Sequence, residues 1–223
     1  MLGNVLVTGG SAGLGAAVVD AVREAGATPL VLDKSAPDKA DFELVDLADG
    51  RAAEAAVRTL AERHGGFSAV VTAAGIDRCG TLAEVPAEEW DQVVKVNLLG
   101  TAAVVRAALP YLENGRVVTI ASTLGLKAVS DATAYCASKF GVVGFTRALA
   151  AETAGRVKVT LVVPGGMRTH FFDDRTEQYR PMDLEKLNPP DRVAAAIVFA
   201  LNQPEGCEIR EFVVAHSEEP SWP

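Results

Sequence analysis

The sequence predicts an α/β fold: a doubly wound parallel sheet in three layers, built as a single domain over residues 1–223. Three observations predict it. Short β-branched and aliphatic runs alternate with amphipathic stretches along the chain, the pattern of a parallel sheet covered on both faces. A glycine-rich turn, Gly9 to Gly15, lies between the first apolar run and the first helical stretch. Hydrophobic residues make up 49% of the 223, enough for a sizeable core, and no linker or internal repeat divides them.

The elements follow in order. Asn4 to Thr8 is a buried strand, and after the glycine turn an alanine- and valine-rich helix runs to about Ala25, with Gly26 placed to end it. Thr28 to Leu32 is a second strand closed by Asp33, and Phe42 to Val45 a third ending at Asp46. Arg51 to Arg63 reads as a helix, and Phe67 to Thr72 as a fourth strand leading into Ala73-Ala74-Gly75. Pro86 opens one long helix through Asn97 to about Leu112, since a first-turn residue needs no N–H. Arg116 to Ala121 is strand five, Thr133 to Thr153 a helix, and Val157 to Val163 strand six, closed by Pro164-Gly165. The polar stretch 167–190 lies past a strand end, where open α/β sheets bind ligands, and reads as a substrate lid. Arg192 to Leu201 is the last helix and Glu211 to Val214 the last strand.

Composition narrows the function. A formal charge of −8 argues against a nucleic-acid surface. Cys79, Cys136 and Cys207 are far apart, with neither zinc spacing nor a disulfide framework, which suits a reducing cytoplasm. His64, His170 and His216 do not cluster, so no metal site is expected. No basic leader precedes the first apolar run, and no apolar run reaches the ~18–20 residues of a membrane span.

The chemistry sits in two stretches. The turn Gly9-Gly10-Ser11-Ala12-Gly13-Leu14-Gly15 follows a strand and opens a helix. Its glycines let the backbone approach a pyrophosphate, and the helix N-terminus offers free N–H groups and a partial positive charge. Asp33, eighteen residues after Gly15, falls where an acid meets the hydroxyls of an adenosine ribose. The second stretch runs from Ser122 to Lys139. Tyr135 and Lys139 are four apart and share one helix face. A phenol titrates near ~10, and a close ammonium in a partly buried site favours its phenolate. Ser122, thirteen residues earlier at a strand end, adds a hydroxyl facing the same carbonyl oxygen.

Together these motifs resemble the short-chain dehydrogenase/reductase family, in its compact single-domain form on a Rossmann fold. Thr8 to Gly15 matches the family's T-G-x-x-x-G-x-G, and Asp46-Leu47 its adenine-contacting pair. Asn97, Ser122, Tyr135 and Lys139 match its catalytic tetrad in order and spacing. Pro164-Gly165 with Thr169 matches P-G-x-x-x-T, which in the family meets the nicotinamide carboxamide. The family's N-N-A-G reads Thr72-Ala73-Ala74-Gly75 here, which puts local hydrogen bonding in question. The tail Ser217 to Pro223 replaces the usual V-D-G-G ending and packs either near the pocket mouth or on a neighbouring subunit.

The resemblance implies an enzyme with NAD as cofactor, held by Gly9, Ser11, Gly13, Leu14, Gly15, Asp33, Asp46, Leu47, Ala74, Gly75, Pro164, Gly165, Met167 and Thr169, with Tyr135 and Lys139. It implies hydride transfer with a small-molecule secondary alcohol or ketone. Tyr135 is the proton carrier, Ser122 the oxygen's hydrogen-bond donor and Lys139 the group that lowers the tyrosine pKa. Asn97, by its backbone carbonyl, holds a water that continues the proton path. It also implies a homo-oligomer, dimer or tetramer, paired through the helices at 86–112 and 133–153. Three alternatives stay open: a non-catalytic dinucleotide-binding regulator, an NADP(H)-dependent ketoacyl-type reductase, and a sugar-nucleotide epimerase of the related extended type.

Overall fold

The computed structural model describes residues 2–222. Seven parallel strands form one sheet in the order β3-β2-β1-β4-β5-β6-β7. They are β1 (Asn4–Thr8), β2 (Thr28–Asp33), β3 (Asp41–Leu44), β4 (Ala69–Thr72), β5 (Arg116–Ile120), β6 (Lys158–Pro164) and β7 (Glu211–Val214). The helices are α1 (Gly13–Glu24), α2 (Gly50–His64), α3 (Ala87–Val94), α4 (Thr101–Ala108), α5 (Thr133–Glu152) and α6 (Pro190–Leu201).

Period-two alternation sorts the strands between two cores. On β1, Val5 and Val7 face a layer built with Val18 and Val22 of α1 and Ile197 and Leu201 of α6. Leu6, between them, faces the opposite layer with Leu60 of α2, Val104 of α4 and Leu149 of α5. Each residue in these two sets is at most 5% exposed, so the central strand is apolar throughout, as two covered faces require. The strand order reverses between β1, which pairs with β2, and β4, which pairs with β1 on its other side. That switch point opens a crevice at the carboxyl ends of the strands.

Most predicted boundaries move by one or two residues. The exception is the single helix expected over 86–112. Pro86 is its N-cap rather than its first helical residue. The helix then widens into a π-helical segment, Lys95–Gly100, before resuming as α4 and tightening to a 3₁₀ turn at Leu109–Tyr111. The widening surrounds Asn97, and such segments gather at functional sites. The composite helix Ala87–Tyr111 is long and apolar enough to cross a membrane by composition, but 56% of its most apolar window is buried inside the protein, as in a core helix.

Candidate active site

The crevice is one cavity of about 1010 Å³. Every residue assigned above to the cofactor lines it, from Gly9 on the glycine turn to Thr169 beyond β6. The turn is a close-approach device. Gly9 has φ 71° and Gly13 φ 54°, left-handed values that favour glycine. A Cβ on Gly9 would lie 2.9 Å from Ala74 Cα, and one on Gly15 2.0 Å from the Gly9 carbonyl oxygen. Ala12 provides no side-chain cap for α1, so the first-turn N–H groups stay open to an anion. These features fit a dinucleotide pyrophosphate.

Asp33 ends β2 facing that turn. Its Oδ2 accepts from Ser11 N (2.9 Å) and Ser11 Oγ (2.6 Å), and its Oδ1 from Ser35 N (3.1 Å). Lys34, the nearby cation, is 3.4 Å from Asp46 Oδ2. Asp46 Oδ1 accepts from Ala48 N at 2.9 Å. Leu47 is buried beside them. Thr72, which replaces the first asparagine of the family's motif, has a buried hydroxyl with no partner among the described residues. Ala74 N donates instead to Thr8 Oγ1 at 3.1 Å. This is the disturbed hydrogen bonding expected at that departure.

Ser122, Tyr135 and Lys139 line the other end of the cavity. Ser122 starts a 3₁₀ turn after β5, and its Oγ accepts from Leu124 N at 3.1 Å. Lys139 Nζ donates to the Ile120 carbonyl at 2.9 Å and lies 5.6 Å from the Tyr135 ring centroid. Asn97 does not line the cavity; it sits one layer behind. Its side chain accepts from Ile76 N (2.8 Å) and donates to Ile76 O (2.9 Å) and Ser138 Oγ (3.0 Å). Ser138 in turn donates to the Tyr135 carbonyl at 2.8 Å, so Asn97 braces the turn of α5 that carries the tyrosine. The Asn97 carbonyl accepts from Thr101 Oγ1 at 2.8 Å.

The electrostatics correct one expectation. Tyr135 is not lowered: burial pushes its phenol up to about 12, the interaction with Ser122 pulls the other way, and Asp77 adds to the rise. Lys139 is pushed down to about 8, again by burial, with Asp77 opposing. Both side chains are nearly sealed, at 9% and 4% exposure. Desolvation of the charged form is the largest cause of both shifts.

Asp77 and the contacts it joins escaped the sequence reading, although Phe171, Phe172 and Arg175 belong to the stretch expected to cover the pocket. Asp77 follows Gly75-Ile76, and its carboxylate is 2.6 Å from Arg175 Nη2 in the 167–190 stretch. The Arg175 guanidinium lies over Phe171 and Phe172, at 5.3 and 4.6 Å from the ring centroids. Phe171 in turn meets Tyr135 at 5.8 Å. The 167–190 stretch contains three 3₁₀ turns, His170–Phe172, Glu177–Tyr179 and Leu184–Lys186. The tail does fold to the pocket mouth, where Glu218, Glu219, Pro220 and Ser221 line the cavity. The one signal available for Asp77 and Arg175 was opposite charge, and nothing in the spacing joins positions 98 apart.

Comparison with known proteins agrees with this architecture. The family model described as short chain dehydrogenase matches residues 3–180. A 3-oxoacyl-(acyl-carrier-protein) reductase of Thermotoga maritima is 31% identical over 216 residues, covering 87% of this chain and 88% of that protein. An uncharacterized oxidoreductase of Staphylococcus aureus (strain MW2) is 30% identical over 224 residues, covering 94% and 95%. Among solved structures, the ligand-free aldohexose dehydrogenase of Thermoplasma acidophilum superposes with a TM-score of 0.85 at 26% identity, covering 95% of this chain and 91% of that one. A short chain dehydrogenase of Burkholderia cenocepacia J2315, in complex with NADP, gives 0.84 at 29% identity, covering 95% and 96%. With the glycine turn, the switch-point cavity and the family match over most of its length, this chain belongs to the short-chain dehydrogenase family.

Proposed function

We propose that the protein is an NAD(H)-dependent oxidoreductase interconverting a secondary alcohol and a ketone, with Ser122, Tyr135 and Lys139 in direct catalytic roles and Asn97 behind them. The observation that carries this reading is a single cavity with the glycine turn and Asp33 at one end and Ser122, Tyr135 and Lys139 at the other. The nicotinamide, when bound, supplies or accepts the hydride. Tyr135 Oη gives its proton to the carbonyl oxygen in reduction and takes it back in oxidation. Ser122 Oγ donates to the same oxygen, most strongly as charge develops there. Burial holds the tyrosine as a neutral phenol, the form reduction needs. Lys139 reaches Ile120 O and is close enough to Gly75, 3.5 Å from where its Cβ would stand, to serve a ribose on that side. Asn97, held by Ile76 and Ser138, fixes the α5 turn and keeps its carbonyl toward Thr101.

Residues 1–223 act as one cofactor-binding and catalytic domain, with 167–190 as the lid. The three free cysteines suit a reducing cytoplasm. Leu99 and Phe140, 57% and 44% exposed on the two helices expected to pair, support a homo-oligomer. Sedimentation finding only the 23.3 kDa species at micromolar concentration would remove that part. A second reading, an NADP-linked 3-oxoacyl thioester reductase, draws on the Thermotoga relative. A screen of NADH and NADPH against ketones, oxoacyl thioesters, sugars and steroids separates the two. Turnover only with NADPH and a thioester would favour the second. Tight dinucleotide binding without turnover of any substrate would favour a regulatory binder.

A further inference from the structure

The tail ends on the reaction side of the cavity, and Glu219 is its anchor. Glu219 Oε2 accepts from Gly166 N at 2.8 Å, just past the Pro164-Gly165 turn. Its Oε1 accepts from Ser221 Oγ (2.6 Å) and Ser221 N (3.2 Å). Ser221 Oγ also meets Thr123 Oγ1 at 2.7 Å, one residue from Ser122. The carboxylate lies so close over Gly165 that a Cβ there would be 2.5 Å from Oε2.

All three donors to Glu219 are neutral, so its hydrogen bonds hold the charge without cancelling it. Two lining cations are paired with other carboxylates, Lys186 with Glu218 and Arg175 with Asp77, while Lys139 donates to a carbonyl beyond Tyr135. Glu219 is thus a half-buried anion at the end of the cavity shared with Ser122 and Tyr135. A carbonyl held by those two residues must touch the nicotinamide that exchanges hydride with it, so the ring belongs at this end too. The oxidised ring is positively charged and the reduced ring is neutral. A fixed anion nearby favours the first and leaves the second almost untouched.

We infer that Glu219 makes the site discriminate between the two redox forms of its cofactor, tightening the oxidised form. The inference rests on the dinucleotide reading above. By linkage, the same preference tilts the balance on the protein toward the alcohol, because stabilising the oxidised cofactor favours hydride leaving the reduced one. Glu219 is a specificity-determining residue in this account, acting through charge rather than on the reacting atoms.

The test is a binding measurement without substrate. Dissociation constants for NAD⁺ and NADH are measured by calorimetry on the wild type, E219Q, E219D and S221A. E219Q is expected to lower the ratio Kd(NADH)/Kd(NAD⁺) at least fivefold, about 1 kcal/mol. E219D and S221A, which keep the charge, should stay within twofold of the wild type. Equal weakening of both forms in E219Q would show a merely structural anchor and overturn the inference. The same fall in S221A would overturn it too. Failure of the wild type to bind either form would refute NAD binding itself, and this inference with it, a result distinct from an unchanged ratio.

Discussion

Replacing Asp33 with alanine should convert a cofactor preference into near indifference. In the wild type the carboxylate holds three donors, Ser11 N, Ser11 Oγ and Ser35 N. A ribose with free hydroxyls donates to that carboxylate. A 2′-phosphate, carrying about −1.5 to −2 charge, repels it. At about 5 Å, charges of −1 and −1.5 repel by about 5 kcal/mol at an effective dielectric of 20 and about 1.2 in water. Asp33 is partly exposed, so the effect belongs between these limits. We take about 2.7 kcal/mol, a preference for NADH of at least ~100-fold in kcat/KM. Asp33→Ala removes the repulsion and also frees the Ser11 and Ser35 donors, which become an anion cradle. The preference should fall below about tenfold, chiefly because kcat/KM with NADPH rises. Initial rates with both cofactors on one ketone measure it. Parity in the wild type would mean that Lys34 reads the ribose in spite of its pairing with Asp46. A variant that loses NADH without gaining NADPH would refute the cradle.

Further predictions concern the other end of the cavity and the lid. Tyr135→Phe should lower kcat at least ~100-fold with cofactor Kd nearly unchanged, and retention of more than a tenth of kcat would remove the tyrosine from its role. Lys139→Ala should damage both kcat and cofactor affinity; an unchanged cofactor Kd would break that dual assignment. Lys139, at about 8 in the folded protein, gives a pH signature. The unfolded chain binds its proton up to ~10.4, so this group's penalty is full below pH 8 and fades as pH rises to ~10.4. In urea titrations Lys139→Met should gain on the wild type at pH 7 relative to pH 10.5, by about 3 kcal/mol, and a pH-independent difference would contradict the shifted lysine. Arg175→Met strands the Asp77 carboxylate, whose side chain is 4% exposed, and should destabilise by about 3–5 kcal/mol. Adding Asp77→Asn should recover at least half of that in thermal unfolding; a double variant no more stable than the single would show that the stranded carboxylate is not the cause.

The sheet was legible because its inner strands are apolar on both faces and the helices alternate with them, as with Val5, Leu6 and Val7 between two cores. The glycine turn was legible because a left-handed φ and a 2.0 Å clearance leave no other residue type. Tyr135 and Lys139 were legible through the four-residue helical spacing, and Ser122 through its place at a strand end. Three things were hidden. The π-helical segment leaves no mark in an apolar pattern that suits a regular helix equally well. The pKa shift of Tyr135 reversed the expected sign because a charge partner can be named from sequence, whereas the depth of burial cannot. Asp77 with Arg175 and Glu219 with Gly166 are joined only by the folded chain, across 98 and 53 positions.

The π-helical segment Lys95–Gly100 also limits which length changes the chain tolerates. It carries surplus backbone relative to an α-helix, and its wide turn absorbs that surplus while the helices on either side keep their faces. Upstream, Trp90 donates to Thr133 Oγ1 at 3.1 Å, and Val93 is fully buried. Downstream, Val104 and Ala108 are fully buried in the core. In a regular helix at 3.6 residues per turn, deleting one residue would rotate one half by about 100° against the other; here the wide turn gives up its surplus residue, so both sets of buried residues keep their faces. A regular helix would then be restored, and what is lost is the placement of Asn97 against Ile76 and Ser138. A deletion in the exposed turn around Gly206, where a Cβ would meet nothing within 4 Å, disturbs no such bonds. Within this family fold, the length of the 95–100 segment is therefore as constrained as the identity of the asparagine inside it.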